Sequence, residues 1–135
     1  MTTSRATAIL TAAVVALIVG GTVHLVEAPS TFEDATYLGL AFLANAAASV
    51  VAAVLLMRGS RLGWGLGALV AAGSIAAYIV SRTVGLPGQS DEQWLELSGV
   101  VAVASEVAFL VAFATVMPAL RIGRAPHVEM AATAA

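Results

Sequence analysis

Cysteine is absent from this chain, which removes disulfides, thiolate metal sites, iron–sulfur clusters and thiol catalysis within it. Lysine is absent as well, so its six arginines are the only permanently charged cationic side chains. Charge of either sign is scarce. Charged residues make up 10% of the sequence, against about 25% in ordinary globular domains. With 60% of residues hydrophobic, a water-facing surface cannot be assembled. The net charge of −2 and the lack of any basic stripe exclude a nucleic-acid partner. There is no Gly-rich phosphate loop, no Ser-His-Asp set and no zinc motif.

What the sequence does contain is four long apolar runs, at about 6–27, 34–57, 62–83 and 94–120. A helix of about 20 apolar residues crosses a bilayer core. The runs therefore predict an all-α, four-helix transmembrane bundle forming a single domain over 1–124, with a flexible tail over 125–135. The first run, Ala6 to Val26, follows Ser4 and Arg5 and ends in Val26-Glu27-Ala28, like a cleaved signal peptide. It is longer than the usual signal core of about 7–15 residues, so it is read as a retained first span.

The charges sort between the two ends of these runs. Arg5, Arg58, Arg61, Arg121 and Arg124 flank one end; Glu27, Glu33, Asp34, Asp91, Glu92 and Glu96 gather at the other, with Arg82 among them. Short loops rich in arginine stay in the cytoplasm. The expected topology is N-in and C-in in a bacterial cytoplasmic (plasma) membrane, with loops 28–33 and 84–93 outside. Arg58-Gly59-Ser60-Arg61 is then a tight cytoplasmic turn that makes spans two and three antiparallel neighbours. Each outer loop carries a capping-box pattern, Ser30 with Glu33 and Ser90 with Gln93. Gly85 and Pro87 stop span three. Tyr37 and Trp94 fall at the outer boundary and Trp64 at the inner one, the positions of aromatic anchors.

A weak internal match aligns His24 with Arg82 and Gly39 with Gly99, setting Asn45 opposite Ser105; it suggests a duplicated helical hairpin. Gly63-x-x-x-Gly67 and Ala44-x-x-x-Ala48 allow close helix approach. Packing inside one bundle is preferred over a dimer face.

A few residues carry the chemistry. Glu106 lies about 16 Å into span four, and an intramembrane carboxyl is a functional candidate by default. The competing reading is a neutral Glu bonded across the bundle, with Asn45 of similar depth as partner; the two stand level. His24 and Glu27, at i,i+3, share a face at the outer end of span one. They are the chain's candidate metal ligands. His24 is equally a candidate proton carrier, although a plain interfacial hydrogen-bonder is the preferred reading. Ser74, Tyr78 and Arg82 form a polar stripe at i, i+4, i+8, which favours an inward-facing Arg82 paired with Glu27, Glu96 or Glu106 over one that snorkels to headgroups. Ser98 and Ser105 share a face of span four. One His inside the membrane cannot give bis-His haem ligation, and Met57 and Met117 lie at the wrong end. A single His-x-x-Glu does not make a di-iron bundle, which needs two Glu-x-x-His motifs.

The segment Ser81 to Gly88 (SRTVGLPG), the acidic loop after it, Trp94 and the Ser105-Glu106 pair, with His24 near the end of span one, resemble a group of small uncharacterised four-helix membrane proteins of actinobacteria. The resemblance covers most of the chain, and SRTVGLPG is its specific part. It implies fold and topology, brings no activity, and nominates His24, Arg82 and Glu106.

The expected function is an outward-open polar pocket, lined by His24, Glu27, Asn45, Tyr78, Arg82 and Glu106, for a cation, proton or small solute. A non-enzymatic accessory subunit of a larger membrane complex is the alternative. A membrane enzyme using Glu106 and His24 on a lipid-soluble substrate comes third, because no complete catalytic constellation is present. The sequence does not identify a cofactor. The partners expected are the lipid bilayer and a second copy or a larger membrane complex.

Overall fold

The computed structural model describes residues 3–89 and 94–122. They form four helices, α1 (Thr3–Asp34), α2 (Thr36–Met57), α3 (Arg61–Thr83) and α4 (Leu97–Ile122). All four are long and apolar enough to cross a membrane. α1 packs on α2 and α4, and α3 packs on the same two, so the helices close into a ring.

Large apolar side chains cover the outside. Val50, Leu62, Leu69 and Val111 are each more than half exposed. In water such a surface would drive aggregation; in a bilayer it faces its own solvent. The interior is built from small residues, with Ala13, Ala52, Ala53 and Ala71 almost fully buried. Larger groups fill the half toward the α2–α3 turn: Leu17, Leu56, Trp64 and Phe109 are buried, and the Trp64 ring lies 5.9 Å from Phe109 and 6.5 Å from Phe113. Trp64, expected as a boundary anchor, is therefore part of the core.

The turn at 58–60 explains the sharp reversal after α2. Gly59 takes φ +71. Its N–H bonds Leu56 O at 2.9 Å, and that of Ser60 bonds Leu55 O at 2.9 Å, closing the last carbonyls of α2. The Ser60 hydroxyl then accepts from Leu62 N at 3.3 Å and caps α3. α3 ends as expected, with Gly85 at φ +79.

The α1–α2 corner differs from expectation. α1 does not stop near residue 27; it runs through Pro29 to Asp34, and only Ala35 separates it from α2. Proline removes one helical N–H, but the neighbouring polar groups stay within the helix. Ser30 and Thr31 both donate to Glu27 O, at 2.9 and 2.7 Å. The expected capping box at Ser30 does not form, and α2 starts after Ala35, which gives it no side-chain cap. The second expected box, Ser90 with Gln93, lies outside the described residues, as do Asp91, Glu92, Arg124 and the tail over 125–135.

This topology places Arg5, Arg58, Arg61 and Arg121 at one end of the bundle and Glu33, Asp34, Arg82 and Glu96 at the other; below these are called the arginine end and the acidic end. The two hairpins are joined differently, by Ala35 in one and by residues 84–96 in the other. Asn45 and Ser105 come to the same level, whereas His24 and Arg82 do not. Gly63 abuts the α2 backbone and Gly67 abuts Phe109, so both face into the bundle. Ala44 is exposed.

Candidate functional site: a polar layer between the helices

Halfway along the bundle, each helix contributes polar or small residues at one level. α1 brings Gly20, Gly21 and His24; α2 brings Asn45 and Ser49; α3 brings Ser74; α4 brings Ser105 and Glu106. The glycines make the layer compact. A Cβ at Gly20 would lie 2.9 Å from Ser105 Oγ, and one at Gly21 2.9 Å from Ser49 Cβ. Glu106 is nine residues from the start of α4, and Ser74 nine from the end of α3, so the layer lies about 14 Å from the acidic end of both helices.

His24 is 7% exposed and Glu106 6%. The His24 ring is held on three sides. Nδ1 bonds Gly20 O at 2.8 Å. A carbonyl only accepts, so Nδ1 carries the proton. Nε2 then faces the Ser74 hydroxyl at 3.1 Å; in the neutral imidazole, Ser74 donates to it. Phe42 covers a ring face at a centroid distance of 4.9 Å. Glu106 Oε1 stands 4.0 Å from the same Nε2, within ion-pair range and beyond a hydrogen bond. Ser74 also neighbours the Glu106 carboxyl, but neither carboxyl oxygen makes a hydrogen bond. A buried polar group left in that state is costly and calls for an explanation.

Glu106 borders a cavity of about 10 Å³, counted as the space open to the centre of a water molecule. That is room for about one water. Its polar wall is Asn45, Ser49, Ser105 and Glu106; Leu17, Val70 and Phe109 line it from the apolar half. Ser49 Oγ donates to Asn45 Oδ1 at 3.3 Å, and Ser105 Oγ to Ala102 O at 2.7 Å.

Of the six residues expected to line one pocket, the structure brings three together: His24, Asn45 and Glu106. Asn45 shares the cavity with Glu106 without bonding to it. His24 is not at the end of its helix, because α1 continues ten residues past it, about 15 Å. Tyr78 and Arg82 form a separate cluster at the acidic end. The Arg82 guanidinium lies over the Tyr78 ring at 4.3 Å, bonds Ser81 Oγ at 2.8 Å and pairs with Glu96 at 3.6 Å. Of the three expected partners, then, Arg82 meets Glu96, not Glu106. Tyr78 donates to Trp94 O and meets the Trp94 ring edge-on. Glu27 joins neither group; its carbonyl, rather than its carboxyl, is the group in use. Ser98 does not line the cavity.

No group of three or more His, Asp or Glu able to hold a metal occurs among the described residues, and the carboxyl that faces His24 is that of Glu106. Ser74 and Ser49 are the residues sequence reasoning left out of the site. Both had a signal: Ser74 heads the polar stripe of α3, and Ser49 follows Asn45 by one turn.

No protein-family model matches the chain, and no curated protein and no solved structure matches it.

Proposed function

We propose that this is a small polytopic protein of the bacterial cytoplasmic membrane, oriented N-in and C-in, that binds a proton, cation or small solute at the polar layer inside the membrane. The observation that carries this reading is the Glu106 carboxyl, buried at mid-bundle with both oxygens unbonded beside a space for one water. Intramembrane ionisable groups that face a bundle interior mark ion and proton sites. The segregated charges support the orientation. The likeness to small actinobacterial membrane proteins fits the same class.

Thermal unfolding of the purified protein in detergent tests the reading, across pH and with sodium, potassium and magnesium chlorides as probes. Binding to the native state raises the midpoint. The expected result is a response to one probe in the wild type that Glu106→Gln loses while remaining folded. If both proteins respond identically and co-purify with another membrane protein, the accessory-subunit reading replaces this one. Orientation is tested by single cysteines at Arg61 and Gln89, which should label from opposite sides of sealed vesicles.

A further inference from the structure

The proposed site still admits three kinds of ligand, and the layer itself discriminates between them. A cavity for one water excludes a solute. A bare metal cation needs several oxygen ligands; hard divalent ions take six or more. Here the side chains lining the cavity, Asn45, Ser49, Ser105 and Glu106, bring one carboxyl, one amide oxygen and two hydroxyls, fewer oxygens than such an ion takes. What remains unsatisfied is the Glu106 carboxyl, and it forms a facing pair with His24 Nε2, which is engaged by the Ser74 hydroxyl alone. One proton satisfies that pair in either of two positions. On Glu106 it makes a neutral acid able to donate toward Ser74; on His24 it makes an imidazolium beside a carboxylate.

We infer that the ligand of this site is a proton, shared between the Glu106 carboxyl and His24 Nε2, with the Ser74 hydroxyl between them. The inference rests on the reading of the polar layer as a binding site. The transfer balances as follows. The O–H bond of Glu106 breaks and its proton goes to Ser74 Oγ. The proton Ser74 already carried goes to His24 Nε2, forming the new N–H bond. The products are a carboxylate and an imidazolium; no electrons leave or enter. Nδ1 keeps its proton on Gly20 O throughout, so the ring need not turn. Nε2 and Oε1 lie about 1 Å beyond a direct hydrogen bond, and the Ser74 hydroxyl, 3.1 Å from Nε2, is the group that spans them. His24 is the only titratable group facing Glu106 among the described residues. α2 offers only Asn45 and Ser49, α3 only Ser74, and α4 adds Ser105. Arg82 is two helical turns from Ser74 and paired with Glu96. Such a pair titrates as a unit.

The test is a pH titration of the full chain in lipid bilayers, followed by infrared spectroscopy of the protonated-carboxyl band and nitrogen NMR of the imidazole, with and without sodium. The expected result is a carboxyl band absent from Glu106→Gln that titrates together with the His24 signal and ignores sodium. Glu106→Gln is expected to move the His24 midpoint by about one pH unit, a tenfold change in proton affinity. If Glu106→Gln does not fold, His24→Gln gives the same comparison on the carboxyl band. A wild type with no titrating carboxyl, or a His24 midpoint untouched by the Glu106 change, overturns the inference. If sodium abolishes the band and raises thermal stability, the proton falls and the binding-site reading stands. If neither pH nor any cation distinguishes wild type from Glu106→Gln, both fall.

Discussion

The two halves of the bundle are packed by different rules. Toward the arginine end, Leu56, Trp64, Phe109 and Val116 fill the space between the helices, and no buried side chain there is ionisable among the described residues. Toward the acidic end, the layer of His24, Ser74 and Glu106 gives way to the Arg82, Tyr78 and Glu96 cluster, and Tyr37 ties the corner of α1 and α2 to the following loop through Pro87 O at 2.8 Å. One half is a seal made by volume; the other is held by directed bonds between few atoms. The boundary between them is Phe109, whose ring occupies the space beside Gly67 and lines the cavity. If the layer holds a proton as proposed, the apolar plug on one side makes access to it unequal from the two ends.

Phe109→Ala breaks this contrast most strongly. It removes a fully buried ring and should cost about 3–5 kcal/mol, read as a lower unfolding midpoint in a denaturing-detergent titration. The same variant should merge the cavity with the emptied ring space and speed proton entry from the arginine end. An unchanged midpoint would mean that the helices collapse onto the void. Arg82→Gln acts on the other half and should cost about 1 kcal/mol, since its partner Glu96 is 48% exposed and screened, and the stacking on Tyr78 adds a comparable amount. A loss as large as that of Phe109→Ala would put the acidic-end cluster, not the plug, at the centre of stability.

The four spans were legible in the sequence because hydropathy is a sum over many residues and tolerates local exceptions. The end of α1 was not. Pro29, Ser30 and Glu33 spell a helix break followed by a cap, and the same hydroxyls satisfy a carbonyl of a continuing helix just as well. That single ambiguity moved His24 from the interior to a boundary and separated it from Glu106. Glu106 itself stood out from depth alone. Its partner did not, because which residues meet across a bundle depends on the vertical offset of two helices, and the offset was set by the misread corner. The stripe of Ser74, Tyr78 and Arg82 was visible, but α3 divides it between two clusters.

Smaller effects refine the contrast. Tyr37→Phe should cost about 0.5–1.5 kcal/mol, seen as faster hydrogen exchange at residues 35–38 and 84–89 with the polar layer unaffected. Glu106→Gln should change stability by about 1 kcal/mol or less, because the carboxyl makes no hydrogen bond to lose. A large loss there would show that the layer holds the fold together.

α1 has 32 residues and α2 has 22, or about 48 Å against 33 Å at 1.5 Å per residue. A bilayer core is about 30 Å thick. α2 matches that thickness; a 48 Å α1 leans or emerges, and a helix under such mismatch answers to membrane thickness more than its shorter neighbours do. His24 rides on α1 and Glu106 on α4, so a change in the lean of the overlong helix would alter the distance between them. Lipid chain length would thereby bear on the proton site proposed above.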